Sequence, residues 1–345
     1  MLRAVLTELD DLRLEEVETP SAGPGEVLMK VGANTLCPTD VRIMTGAKTS
    51  HVKMPVVLGH EVAGHVTEVG EGVEGYEPDT PVALSPVIPC GHCWACMSDV
   101  ENVCANMRIV GYEVDGGLAE YLLVPAASVA AGCLFVADAD LPSEALAVAE
   151  PLSCVITGQR VAPIRPGEVV LIMGAGPIGL LHLQMSLLSG ARKVIVSQPS
   201  EARRKIAERF GAAVTVDPTS EDLAVVVADE TGGAGVDSAI ICTGAPELVD
   251  TAIGLCRVNG RVNIFAGLSD GGRARIDANA IHYRQLAVTG SSNTRRRDYR
   301  TALELITSGK IDTASMVTKR YDLSDVDQAI EAVIAREALK VAVLP

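Results

Sequence analysis

The sequence predicts an α/β protein in two parts: an antiparallel, barrel-like domain followed by a parallel sheet covered by helices on both faces. Three observations carry this. The 345 residues amount to roughly two domains at about 150 residues each. The second half alternates short apolar runs with helical stretches in a β-α-β-α order. The first part instead holds short valine-rich segments separated by Gly, Pro and Asp turn signals.

The N-terminal strands are expected in GEVLMKVGAN (25–34), HEVAGHVTEVG (60–70), TPVALSPV (80–87) and AEYLLVP (119–125). The parallel part begins with EVVLIM (168–173), an apolar run without alternation, as in a strand buried on both faces. LLHLQMSLLSG (180–190) reads as an apolar helix ending at Gly190, and KVIVS (193–197) as the next strand. SEARRKIAERFG (200–211) has Ser200 as its expected N-cap and Gly211 as its C-cap. Strands in AVTV, VDSAIICTG and GRVNIFAG, with helices in SEDLAVVVADETGG and PELVDTAIGLC, continue the pattern. After residue 297 come an amphipathic helix, DYRTALELITSG, a second, DVDQAIEAVIA, and a strand, LKVAVLP, which are expected to return to the first domain. The expected boundaries are 1–156, with a small lobe at about 88–106, then 157–296, then 297–345.

Charge and composition narrow the function. The 29 basic and 44 acidic residues give a net charge of −15, which repels phosphate backbones. Aromatic residues are 3%, too few for a base-stacking surface. Nucleic acid is therefore not an expected partner. No apolar run reaches the roughly 18 residues of a membrane span, and MLRAVLTELDDLRLEEVE has no signal-peptide core. A soluble, cytoplasmic protein of two domains is expected.

In that compartment nine cysteines are not a disulfide framework. Cys90, Cys93, Cys96 and Cys104 have the spacing C-x2-C-x2-C-x7-C, which suits four thiolates closing a tetrahedron on one structural Zn2+. The ferredoxin run C-x2-C-x2-C-x3-C-P is absent. His92, between two of these cysteines, is expected to be an exposed loop residue. Cys133, Cys154, Cys242 and Cys256 lie in apolar segments, where small buried hydrophobes are the default.

GAGPIG (174–179) lies between an expected strand and an expected helix, the setting a dinucleotide-binding turn requires. Gly174 permits the tight turn, Gly176 the close approach of a pyrophosphate, and Gly179 close helix–strand packing; Pro177 and Ile178 open the helix. Where an acidic residue often binds the ribose, Gln198 stands. Arg203 and Arg204 follow, tilting the expectation slightly from NAD toward NADP. The strand ends at Cys242, Thr243 and at Ala266, Gly267, Leu268 are further expected cofactor contacts.

Cys37, His60, Glu61 and Glu150 offer a thiolate, an imidazole and two carboxylates, all acceptable zinc ligands, but spacing alone does not join them. Neighbours such as His60 and Glu61 point to opposite faces of a regular strand. Gly59 eases an irregular backbone there.

C-P-T-D at 37–40, G-H-E at 59–61, the four-cysteine segment, E-P-L-S at 150–153 and GAGPIG occur in one order along the whole chain. In this combination the sequence resembles the zinc-dependent medium-chain dehydrogenase/reductase family, most closely its sorbitol and polyol dehydrogenase branch. The resemblance implies a GroES-like barrel, a Rossmann domain and two zinc ions per chain, one catalytic and one structural. It implies Cys37, His60 and Glu61 as ligands of the catalytic zinc, with Glu150 as a fourth ligand or as the holder of its water. It further implies Thr39 as acceptor of the substrate proton and Asp40 as the carboxylate orienting His60. Many relatives have a histidine where Arg42 stands, and an arginine cannot act as a base. Proton exit would then use water, a ribose hydroxyl or a group such as His51.

The implied activity is reversible oxidation of a secondary alcohol of a polyol, sugar or cyclitol to a ketone with NAD(P)+. A threonine 3-dehydrogenase-like activity is the second reading, and a catalytically silent NAD(P)H-binding zinc protein the third. The resemblance implies a homodimer or homotetramer. The run Arg295, Arg296 and Arg297 is expected on a solvated face or in an intersubunit ion pair, with a phosphate site as the alternative.

Overall fold

The computed structural model describes residues 1–137, 140–268 and 272–345. The chain divides into two compact units, one of Met1–Ser153 with Asn293–Pro345, the other of Cys154–Ser292.

The discontinuous unit is built on a seven-stranded sheet. Its main path runs Leu134–Val136, Pro81–Leu84, Glu61–Val69, Val27–Thr35, Lys340–Leu344 and Val317–Asp322; Tyr121–Val124 pairs on Val27–Thr35 as well. Every pairing is antiparallel except that between the last two strands of the path. Val27–Thr35 can be central because it is apolar on both faces, and only Lys30 is exposed. Its end at Asn34 and Thr35 pairs with Val62 and Glu61 on one side and with Val343 and Ala342 on the other. The C-terminal strand thus lies one strand away from the start of Glu61–Val69, with Val27–Thr35 between them. Val317–Asp322 was not foreseen, because TKRYD is polar; it is tolerated at an edge, where half of its surface meets water.

A second sheet orders Asp11–Glu16, Leu2–Glu8 and Val56–Val57. The hairpin turn uses Asp10 at φ +58°, a left-handed conformation that aspartate accepts more readily than most residues. Its core includes Leu6, Ile43, Leu58 and Leu118, together with Ala329 and Ile330 of the helix Val326–Ile334.

The continuous unit is a six-stranded, all-parallel sheet in the order Val214–Val216, Lys193–Ser197, Val169–Met173, Val236–Ile241, Cys256–Ile264, Ala287–Gly290. VVLIM is buried at every position, which explains its lack of alternation. Chain order reverses at this strand, so the carboxyl ends of Val169–Met173 and its neighbours form the crevice where such sheets bind ligands. The helix after the second strand is Glu201–Arg209; Phe210 is its C-cap, and Gly211 follows at φ +98°. Ser200 occupies the N-cap, but its side chain makes no capping bond. Among the described residues no helix is long and apolar enough to cross a membrane.

Candidate metal centres and dinucleotide cradle

The four cysteine sulfurs of the lobe converge, their ligand atoms all within 4.8 Å of one another. A tetrahedron with zinc–sulfur bonds of about 2.3 Å has sulfur–sulfur edges of about 3.8 Å. The separations are 4.0 Å for Cys90 and Cys96, 3.6 Å for Cys93 and Cys96, and 3.7 Å for Cys93 and Cys104. The residues present therefore fit a zinc ion. Backbone N–H groups of His92 and Cys93 pull the Cys90 thiol down to about 6. His92 is exposed, and its Nδ1 lies 2.8 Å from the Cys90 carbonyl oxygen. None of the nine cysteines is in a disulfide; Cys133 and Cys256 are fully buried, Cys154 and Cys242 partly so.

The arginine run belongs to this lobe rather than to a free face. Arg296 makes a forked pair with Glu101, its Nε 2.9 and 3.1 Å and its Nη2 2.6 Å from the carboxylate oxygens. Arg297 pairs with Asp99 and Arg295 Nε donates to Asn102 Oδ1 at 3.2 Å. All three partners lie between Cys96 and Cys104. Arg297 remains exposed, as expected of a solvated face, but Arg295 and Arg296 are tied to this segment of the same chain.

A second group brings together Cys37, His60 and Glu61, again with ligand atoms within 4.8 Å. Gly59 makes this possible. At φ +95° it turns the chain so that His60 precedes the strand, which begins at Glu61, and the alternation rule does not separate the two side chains. A Cβ at Gly59 would meet Asn34 Oδ1 at 2.5 Å. Cys37 is the N-cap of the helix Pro38–Met44, and Asp40 completes a capping box. Asp40 Oδ2 accepts the Cys37 N–H at 2.9 Å, while its Oδ1 lies 3.1 Å from His60 Nδ1. One buried carboxylate thus places two of the three ligand residues, leaving His60 Nε2 for a metal. Thr39 Oγ1 accepts from the Cys37 thiol at 3.4 Å. Burial alone would push the His60 imidazole down, but Asp40, with Tyr112 and Cys37 beside it, lifts it well above its ordinary value. The Tyr112 ring stands edge-on to His60, 5.4 Å between centroids, and burial pushes its phenol up.

Two partners of Glu61 were missed in the sequence. Thr35 Oγ1 donates to Oε2, and Lys340 Nζ lies 2.7 Å from Oε1 and 2.5 Å from Oε2. Lys340 is 4% exposed. Burial opposes its charge, yet Glu61, Cys37 and Glu150 more than offset this and raise its pKa. The available signal was a lysine inside the apolar strand LKVAVLP, since buried lysines need an acidic partner. Glu150 is 9% exposed and lies outside the three-residue group, although its charge reaches both Lys340 and Tyr112. A thiolate, an imidazole and a carboxylate gathered in a buried site suit zinc. Arg42 and His51 are exposed, His51 at φ +61°.

In the parallel unit the three motif glycines do different work. Gly174 has φ +109°. A Cβ at Gly179 would lie 1.9 Å from the Gly174 carbonyl oxygen, so no larger residue fits. A Cβ at Gly176 would meet nothing within 4 Å. Gly176 is the N-cap of Pro177–Leu188, and open space beside that helix start suits a phosphate. Gln198 follows the second strand and is 8% exposed; its carbonyl oxygen accepts from Arg204 Nη1 at 2.7 Å. Arg204 also pairs with Asp217 at 3.1 Å, and Arg203 is partly buried with interactions of its own. Cys242 N–H donates to Met173 O, and Ala266 N–H to Ile241 O, which seats Cys242, Thr243 and Ala266–Leu268 at the ends of adjacent parallel strands.

Comparison with known proteins agrees with this geometry. Residues 23–132 match the alcohol dehydrogenase GroES-like domain, and residues 177–308 match the zinc-binding dehydrogenase domain. The L-threonine 3-dehydrogenase of Pyrococcus abyssi (strain GE5 / Orsay) is 38% identical over 95% of this chain and 93% of its own. The L-galactonate-5-dehydrogenase of Escherichia coli (strain K12) is 32% identical over 93% of this chain and 92% of its own. A protein of Sinorhizobium meliloti 1021 designated a zinc-binding dehydrogenase, solved with NADP, superposes with a TM-score of 0.93 at 34% identity, covering 100% of this chain and 99% of that one. With both domains matched and two relatives aligned over nearly their whole length, the chain belongs to the zinc-dependent medium-chain dehydrogenase family.

Proposed function

We propose that this protein reversibly oxidises a secondary alcohol to a ketone, with zinc at Cys37, His60 and Glu61 and NAD(P)+ on the GAGPIG turn. The convergence of those three side chains beside Thr39 carries the reading. Zinc held there would lower the pKa of a substrate hydroxyl, and the nicotinamide would take the hydride. Thr39 Oγ1, next to Cys37, is placed to accept the hydroxyl proton. Asp40 keeps His60 in the tautomer whose Nε2 is a ligand. Lys340 offsets part of the negative charge that Cys37 and Glu61 bring into a buried site. Glu150, whose charge reaches Lys340, is the reserve carboxylate that could exchange with solvent or substrate. Arg42 cannot be the base, so a proton taken by Thr39 would have to leave through water or a group such as His51. Cys90, Cys93, Cys96 and Cys104 would hold a second, structural zinc.

The substrate class is a sugar, sugar acid, polyol or cyclitol, in line with the galactonate-oxidising relative. Oxidation at the 3-hydroxyl of threonine is the second reading, favoured by the higher identity of the threonine dehydrogenase. Gln198 is compatible with either ribose; with Arg204 held by Asp217, any preference for NADP rests on Arg203. The test is metal analysis of the purified protein combined with a polyol, sugar-acid and L-threonine panel against each cofactor. Two zinc per chain, with turnover lost when one is chelated, supports the reading. No turnover of any secondary alcohol by the zinc-loaded protein refutes it.

A further inference from the structure

The loop that joins the two halves of the metal cluster has an unusual charge. From Val41 to His60 there is no aspartate or glutamate in a chain that has 44 of them, yet Arg42, Lys48 and Lys53 are basic. One backbone bond closes this loop on itself and a second ties it to Tyr112, the neighbour of His60. Lys48 N–H donates to Arg42 O at 2.8 Å, and Lys53 N–H donates to Tyr112 O at 3.1 Å. The Lys48 ammonium sits over the Tyr112 ring, 5.8 Å from its centroid. That same ring meets the His60 imidazole edge-on at 5.4 Å. One aromatic ring therefore separates the ammonium from a ligand of the metal cluster.

Lys48 is half-buried and donates to Ser50 Oγ. Among the described residues no ion pair joins Lys48 or Arg42 to a carboxylate. Burial pushes the Lys48 pKa down, and the nearby positive charge of Arg42 pushes it further. A partly desolvated cation beside a second cation, without an anion, is electrostatically incomplete. A ligand that brings a negative charge would complete it, and a positive patch in an acidic protein also steers such a ligand to the site.

We propose that Lys48, backed by Arg42, binds an anionic group of the substrate, a carboxylate or a phosphate, while the neighbouring hydroxyl lies at the Cys37–His60–Glu61 cluster. The proposal rests on the dehydrogenase reading above and narrows it: the preferred substrate is a hydroxy acid or a phosphorylated alcohol rather than a neutral polyol. Lys48 is then a residue that decides specificity.

The zinc-loaded enzyme is assayed with a matched set: a pentitol, the corresponding pentonate and the pentitol phosphate. The readout is the ratio of kcat/KM for each anionic substrate to that for the neutral one. Loss of a charge-assisted contact lowers this ratio about tenfold or more in Lys48→Met, and Lys48→Arg restores it. The ratio should also fall with rising ionic strength in the native enzyme. Whichever anion shows the loss, carboxylate or phosphate, identifies the group bound. An unchanged ratio in Lys48→Met overturns the proposal. So does a rise confined to the KM of the cofactor, because the cations would then serve the dinucleotide. If no alcohol is oxidised, the dehydrogenase reading fails by itself. Titration of inorganic phosphate into the zinc-loaded protein with saturating NAD(P)+ then decides the anion site, an affinity about tenfold weaker in Lys48→Met supporting it and equal affinities overturning it.

Discussion

Replacing Lys340 with methionine isolates the electrostatic support of the Cys37–His60–Glu61 group. Methionine keeps the length and apolar stem of lysine and removes only the ammonium. Lys340 is 4% exposed and Glu61 is fully buried, with Nζ at 2.7 and 2.5 Å from the two carboxylate oxygens. Removing one member of a buried pair leaves the other charge uncompensated, at a cost of about 3–5 kcal/mol. Thr35 Oγ1 still donates to the carboxylate, which places the expected loss near the lower end, about 3 kcal/mol. In a thermal scan followed by circular dichroism this corresponds to a Tm lower by roughly 6–12 °C. A cation bound by Glu61 replaces the lost charge, so the loss should be largest in chelated protein and smaller with zinc. The double variant Lys340→Met/Glu61→Gln removes both charges and should recover most of the stability. The reasoning is refuted if Lys340→Met lies within about 0.5 kcal/mol of the native chelated protein, or if the two substitutions simply add.

Three further outcomes follow from the same structure. Arg296→Ala removes the fork on Glu101, which lies three residues before Cys104. We expect a loss of about 1–2 kcal/mol, discounted for the partial exposure of Arg296, and faster release of zinc from the four-cysteine lobe to a chromogenic chelator; an unchanged release rate would show that the lobe does not need this anchor. Gly179→Ala puts a methyl group 1.9 Å from the Gly174 carbonyl oxygen and should weaken NAD(P)H binding at least about tenfold by fluorescence titration, whereas binding near native strength would mean the turn can move without cost. His182 is buried and held neutral, its pKa pushed down by burial to about 3. Below pH 6.5 the unfolded chain takes up a proton that the folded chain refuses. His182 therefore contributes a stability loss of up to about 1.4 kcal/mol per pH unit as pH falls from 6.5 toward 3. His182→Phe should flatten the pH dependence of urea stability by that amount between pH 6 and 4, and equal slopes would contradict the assignment.

Much of the fold was legible because its rules are local. VVLIM is apolar at every position since a central parallel strand is covered on both sides, and that pattern needs no partner to be read. Gly174 and Gly179 are demanded by a turn six residues long. The four cysteines fall within fifteen residues, so their tetrahedron is close to a property of the loop itself. The hairpin Leu2–Glu16 and the edge strand Val317–Asp322 escaped notice because each is partly polar and takes its stability from a neighbour.

The second metal group depends on contacts between residues far apart in the chain. Spacing offered Cys37, His60, Glu61 and Glu150 as ligand types, but ligands 24 residues apart meet only because Gly59 adopts φ +95° and Asp40 bonds to both sides. Lys340 lies 279 positions from Glu61, and the C-terminal strand brings it there by pairing beside Thr35. The arginines 295–297 were visible as charge, yet their partners at 99–102 lie almost two hundred positions away.

Local chemistry in the chain therefore determined the parallel sheet, the glycine turn, the cysteine lobe and the inventory of possible ligands, because each depends on residues within a turn or a strand of one another. The tertiary structure alone decided which charges meet: Lys340 with Glu61, Arg296 with Glu101, and Lys48 with no carboxylate at all among the described residues. The physical reason is that burial sets the strength of a charge–charge contact, and burial is a property of the assembled sheet rather than of any segment in it.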